Sequence, residues 1–424
     1  MTADPLQDPT EQPIRWLMLA LLAIGESLGM TLWFSATAAA PSLVARFGLS
    51  SGGAAWLTMS VQAGFVAGTL ATAILNLPDL VAPRRLFALG CALGAAATFG
   101  VTRADSALAA FVLRFCTGAA LAWVYPTGMK IVASWFHRER GTGLGVLVAA
   151  LTVGQAFPHL LAAIAPASSW QARMLVSSWL ALAGGAAVLA IVRDGPHLET
   201  TGRFDPRAAA DLFTNPRTRL AAFGYLGHMW ELYAMWSWAG VFAAASLAAW
   251  GAANASRAAS VAAFLAIATG SLGCLLGGLL ADRIGRARVA GFALVGSGTC
   301  AAAAGLVFGH HPALLYALLA FWGLVVVADS AQFSALIADY SPRDHVGTAL
   351  AIETSCGFLL TMASIRLMPA LAAWAGWRWV FLALVPGPVF GAWAMRALAR
   401  ITVATPPLGA AVLSQHPGLR RERS

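Results

Sequence analysis

Twelve runs of mostly apolar residues, each near the roughly 20 residues that cross a bilayer as a helix, succeed one another along the 424-residue chain with short polar breaks between them. No soluble core accommodates such a pattern. Hydrophobic residues make up 59% of the chain, charged residues 11%, and the mean hydropathy is +0.72, whereas soluble chains carry about 25% charged residues. The predicted fold class is an all-α polytopic membrane protein. Its helices fall near 16–40, 53–77, 84–101, 107–135, 142–166, 170–192, 219–248, 258–281, 288–308, 312–339, 345–371 and 376–398.

A net charge of +9 points to nucleic acid in a soluble chain, but here 26 of the 27 basic residues are Arg and they gather between the apolar runs. Nineteen fall on the face that carries both termini and five on the opposite face, so the positive-inside rule places both termini in the cytoplasm. Nucleic acid is not an expected partner. The first apolar run ends in SATAAAPS, which resembles a signal-peptide cleavage site. Its acidic leader (Asp4, Asp8, Glu11), its length and Glu26 within it make it the first helix instead. Cys91, Cys116, Cys274, Cys300 and Cys356 all lie inside predicted helices without metal-ligand spacing, so no metal and no cofactor is expected.

The most polar stretch, from Arg193 to Arg219, divides the helices six and six. The expected organisation is a tail (1–14), a six-helix bundle (15–192), a linker (193–218), a second bundle (219–400) and a tail (401–424). The halves repeat: Gly141-Thr142 recurs as Gly347-Thr348, Trp170 as Trp377 and Gly118 as Gly323, at offsets of 206, 207 and 205. Between predicted helices 8 and 9 runs GGLLADRIGRARV, a glycine-broken turn dense in arginine. Here Gly278, Asp282, Arg283, Gly285, Arg286 and Arg288 match the loop motif of the major facilitator superfamily of secondary transporters, which the chain resembles over residues 15–400. The first-half copy is degenerate, with Asn76 where the acid stands and Asp79 nearby. The resemblance implies two pseudo-symmetric six-helix bundles rocking about a central cavity. Asp282 is expected to act as a latch of the inner gate, against the start of helix 11 and Arg343. The alternative is that this cluster only sets topology.

Ionisable side chains inside spans cost at least about 2.5–3.5 kcal/mol each on insertion scales, so each calls for a partner or a task. Helix 1 carries Glu26, helix 4 Arg114 and Lys130, helix 5 His159, helix 7 His228 and Glu231, helix 10 Asp329, and helix 11 Glu353 and Arg366. The family resemblance makes helices 1, 4, 7 and 10 the cavity lining. At 1.5 Å per residue Glu26 and Arg114 share a depth roughly 15–18 Å from the inner surface. They are expected to pair. Burial disfavours a charged carboxylate and an adjacent arginine favours it, so an anionic substrate that takes Arg114 leaves Glu26 to bind a proton. A static pair locking helices 1 and 4 is the competing reading. Glu231 is the second proton-coupling candidate. Substrate contacts are expected from Arg114, Lys130, His228, Trp230, Tyr233 and Trp236, the last three as an amphipathic wall, and from Asp329, Gln332 and Glu353.

These features predict a transporter, not an enzyme: a proton-coupled carrier of a small organic anion, acting as a monomer in a bacterial inner membrane, with the substrate, protons and the bilayer as its partners. An exporter whose acids face cationic drugs or metabolites is the alternative, and Pro158-His159 in helix 5 is only loosely similar to the antiporter motif. A sensor or enzyme scaffold lacks support: the chain has no phosphate loop, nucleophile elbow or metal-spaced cluster.

Overall fold

The computed structural model describes residues 11–136, 140–198, 204–342 and 345–404. Twelve helical spans run through it: α1 (Pro13–Met30), α2 (Ser51–Ile74), α3 (Pro83–Val101), α4 (Ala107–Trp135), α5 (Gly141–Ile164), α6 (Trp170–Ile191), α7 (Pro216–Trp250), α8 (Ala255–Ile284), α9 (Arg286–Val307), α10 (Pro312–Tyr340), α11 (Val346–Ala375) and α12 (Trp377–Ile401). An even number of spans brings the start of α1 and the end of α12 to one face, called here the tail face; the opposite one is the far face.

The repeat holds to the residue. α4 is built from Ala107–Leu121 and Tyr125–Trp135, α10 from Pro312–Val326 and Ser330–Tyr340. All four boundaries of one recur in the other at a spacing of 205. In α4 Pro126 opens the second segment, where its missing N–H costs nothing. In α10 the break falls at Asp329, whose carboxylate lies 2.9 Å from His228 Nδ1 while Ser330 Oγ lies 3.0 Å from Nε2. Gly118 and Gly323 mark where these helices cross their neighbours: a Cβ would stand 1.8 Å from the Val61 carbonyl oxygen in the first half and 2.3 Å from that of Ala266 in the second. Glycine is required because the backbones touch.

One element departs from the expected pattern. The first helix stops at Met30, Thr31–Phe34 form turns, and a short helix resumes at Ser35–Ala38. The hydroxyls of Thr31 and Ser35 bond the carbonyls of Leu28 and Leu32, at 2.7 and 2.8 Å, in competition with the helical ladder. Its counterpart α7 is unbroken throughout Pro216–Trp250.

The linker is bound at both ends. Gly195 N donates to Ser134 Oγ of α4 (2.8 Å), and Trp135 Nε1 to the carbonyl of Arg193 (2.8 Å). Farther on, Arg207–Thr214 is helical, and its Asp211 meets His345 Nδ1 before α11 at 2.9 Å. The loop charges pair within each half with opposite polarity. Asp79 of the first loop bonds Lys130 of α4, and Arg286 of the second bonds Asp339 of α10. In the first loop the paired charge is Asp79, three residues after Asn76, and in the second it is Arg286.

Candidate functional site

The two bundles meet through aromatic rings near the middle of the spans. Trp33, in the broken stretch after α1, lies 5.2 Å from Phe65 of α2, 5.6 Å from Tyr233 of α7 and 5.5 Å from Phe358 of α11. Phe65 and Phe358 are 4.8 Å apart. The neighbouring Phe34 faces His159 of α5 and Tyr233 and Trp236 of α7 at 6.2–6.3 Å. α7 supplies both rings from one side because Tyr233 and Trp236 are three residues apart, close to one helical turn.

Polar atoms interrupt these rings. Trp33 Nε1, both amide atoms of Gln62, Gln155 Oε1, His159 Nε2 and Trp236 Nε1 are buried without a hydrogen-bond partner among the described residues. Gln155 Nε2 reaches the Tyr233 hydroxyl at 3.5 Å, and Gln62 is one turn from Phe65 on the same side of α2. A buried polar group left unpaired costs about 1–3 kcal/mol. Five such side chains gathered at one interface are stable against that cost when a solute supplies the missing partners. The set combines N–H donors, amide carbonyls, a phenol and ring faces, the mixture of polar and aromatic groups that lines small-molecule sites.

On the tail side of the rings, Glu26 and Glu353 are buried, and among the described residues neither oxygen of either has a hydrogen-bond partner. Glu26 Oε2 lies beside Gly128 of α4, where a Cβ would come within 3.0 Å.

The structure separates several residues that the sequence grouped together. Arg114 does not pair with Glu26. Its guanidinium donates to the carbonyls of Leu32 (3.0 Å), Trp33 and Leu57 (3.4 Å) and to Ser35 Oγ (3.3 Å), because it points toward α2 and the break while Glu26 points toward Gly128. Lys130 binds Asp79 and the carbonyl of Pro78 (3.1 Å) on the tail side. Glu231 turns into its own bundle, accepting from Ser297 Oγ of α9 and Trp322 Nε1 of α10, both at 2.7 Å. Trp230 donates to the carbonyl of Ala383 at the start of α12 (2.9 Å) and leaves the expected wall. His228 and Asp329 hold each other. Of the residues expected to touch substrate, Tyr233 and Trp236 line the aromatic box and Glu353 lies below it.

The loop residues are also reassigned. Asp282 and Gln332 share a small cleft with Gly141 and Leu144 of α5 and with Gly278 and Arg286, so the loop after α8 faces the start of α5 and not that of helix 11. The reason is the pairing of spans: α8 packs on α5 and α2 on α11. Arg343 lies outside the described residues; Arg283, Gly285 and Arg288 are exposed. The sequence reading missed Trp33, Phe34, Gln62, Gln155 and Phe358. A glutamine within an apolar span was the available signal for two of them, since an amide there needs partners as a charge does.

The sequence profile described as the Major Facilitator Superfamily matches residues 22–272 and 252–419. The hexuronate transporter of Escherichia coli (strain K12) is 31% identical over 199 residues, a stretch that is 44% of this chain and 44% of that protein. The galacturonate transporter of Dickeya chrysanthemi is 29% identical over 180 residues, 40% of this chain and 49% of the relative. The chain thus spans under half the length of these curated relatives. Among solved structures, the nucleoside transporter NupG superposes with a TM-score of 0.68 at 15% identity, covering 90% of this chain and 99% of that one, which speaks for the fold.

Proposed function

The chain belongs to the major facilitator superfamily, and from that premise we propose that it carries a small polyhydroxylated organic acid of the hexuronate kind across a bacterial inner membrane by alternating access, together with protons. The tail face is the cytoplasmic one in this reading, from the weight of arginine on it. The observation that carries the proposal is the box between the bundles in which Trp33, Gln62, Gln155, His159 and Trp236 each keep at least one buried polar atom without a partner among the described residues. Its donors are neutral, so it receives hydroxyls and a carboxylate through hydrogen bonds without a fixed cation. The names of the hexuronate and galacturonate transporters among its relatives support the same class.

Glu26 and Glu353 are the proposed proton carriers. A carboxylate with no donor in a dry interior is costly as an ion, so each is stable through the membrane only with a proton or with a partner brought by the solute. Glu231 is not proposed, because two donors already hold it. The same pair of acids favours a second reading, an exporter of organic cations, since both Arg114 and Lys130 have partners within their own bundle.

One experiment separates the two. Vesicles containing the protein and an internal pH dye are presented with galacturonate, glucuronate, neutral hexoses or organic cations. Proton movement triggered by the uronates and lost in Glu26→Gln supports the proposal. Movement triggered only by cations supports the exporter, and uronate transport unaffected by a pH gradient overturns the coupling.

A further inference from the structure

Arg114 is buried completely, and its bonds go to an unwound stretch of helix. Where the chain turns through Thr31–Phe34, the carbonyls of Leu32 and Trp33 lose regular helical partners, and the guanidinium takes both, together with Ser35 Oγ and the Leu57 carbonyl of α2. A planar fork of five donors suits several acceptors set at different angles in a way that an ammonium does not. The stretch held in this manner carries Trp33 and Phe34, which reach across to Tyr233, Trp236 and Phe358 of the other bundle.

The repeat supplies an internal control. The residue 205 positions after Arg114 is Leu319, and the positions equivalent to Trp33 and Phe34 are Trp238 and Ala239. There α7 runs unbroken through Pro216–Trp250, and Trp238 bonds the carbonyl of Ile365 within its own bundle, at 3.1 Å. Arginine accompanies the break in one half; leucine accompanies the continuous helix in the other.

We propose that Arg114 is a positioning residue for the far-side gate: it holds the first helix broken after Met30, so that Trp33 and Phe34 close the interface as a unit, and opening on that side is carried by this stretch and not by its counterpart in α7. The inference rests on the transport reading only for alternating access, and it assigns Arg114 no contact with the solute.

The test reads the gate without any substrate. Gln62→Cys, in a chain whose five native cysteines are replaced, is exposed to a membrane-impermeant maleimide from the far side. Arg114→Leu, which copies Leu319, raises the labelling rate at least about tenfold, the scale on which losing charge-assisted bonds shifts an equilibrium. Arg114→Lys, able to serve fewer carbonyls, falls between, and Trp33→Ala with Arg114 intact matches the leucine variant. A folded Arg114→Leu protein that labels at the parent rate overturns the proposal, all the more if protection of the cysteine by galacturonate disappears, which marks Arg114 as an anion ligand. Should Arg114→Leu fail to fold, the lysine and Trp33 variants decide: parent rates in both overturn it.

Discussion

Glu26 and Glu231 occupy equivalent places in the two halves, 205 residues apart, yet they have opposite fates. Glu231 accepts from Ser297 and Trp322. The positions equivalent to those donors in the first half are Ala92 and Thr117, so Glu26 has lost both. Equivalent acids thus stand in different surroundings: Glu231 is held by two donors, and Glu26 is the one proposed to take a proton. Two outcomes follow in purified protein and in vesicles. Glu231→Ala strands the Trp322 indole N–H, while the Ser297 hydroxyl keeps the Leu294 carbonyl, and lowers stability by about 1–3 kcal/mol, read as an earlier thermal unfolding in detergent. Glu26→Gln unfolds at the parent temperature, keeps substrate exchange and loses accumulation driven by a pH gradient; equal destabilisation by both substitutions contradicts the division of roles. The depth of each charge is legible in the sequence because rise per residue is constant, but depth says nothing about which way a side chain points. Trp230 and Trp236 show the limit. Six residues at about 100° each leave them roughly 120° apart around the helix, enough for one to face α12 and the other the bundle interface.

At the scale of elements, the twelve spans and their order were legible because a bilayer accepts little besides long apolar helices. The breaks were less so. Pro126 announces the one in α4, whereas after Met30 the local hydroxyls of Thr31 and Ser35 act together with Arg114 of α4, and at Asp329 the carboxylate acts with His228 of α7, and those partners from other helices are in no local pattern. The crossing glycines sit between these cases: the repeat picked out Gly118 and Gly323, and only packing shows what they touch. Gly118→Ala forces a methyl group into the Val61 carbonyl, where the nearest atom is backbone and cannot swing aside. It should cost about 1–3 kcal/mol and lower the thermal midpoint in detergent. Gly145→Ala is the contrast, because its Cβ meets only the Cys274 carbonyl oxygen, at an ordinary 3.7 Å, and alanine favours the helix by up to about 1 kcal/mol. A Gly118 variant as stable as the Gly145 variant speaks against backbone contact at the crossing.

For the whole molecule, the question is which contacts change when the bundles rock. Bonds within a bundle, such as Arg286 to Asp339 and Lys130 to Asp79, travel with it and do not bias the equilibrium. Those that cross the interface do: the aromatic box, and at the far face Arg257 Nε of α8, which donates to the Ala163 carbonyl of α5 at 3.0 Å. The bond ties the two bundles in the far-side-closed state and must break when that side opens. Arg257→Ala therefore destabilises the closed state selectively. A charge-assisted bond of this kind is worth at most about 1.5–3 kcal/mol, and the exposure of Arg257 puts the effect at the lower end, about a tenfold shift toward the open state. Spin labels at Ala167 and Ala253, exposed beyond the far ends of α5 and α8, report the populations directly. The variant should move the distance distribution toward longer separations without altering thermal unfolding, because the same bundles persist on both sides of the equilibrium. An unchanged distribution means that the Arg257 bond is not needed to hold the far side shut, and closure then rests on the other contacts across the interface, the rings of Trp33, Phe34 and Phe358 and the Arg366 guanidinium against Gly52 of α2.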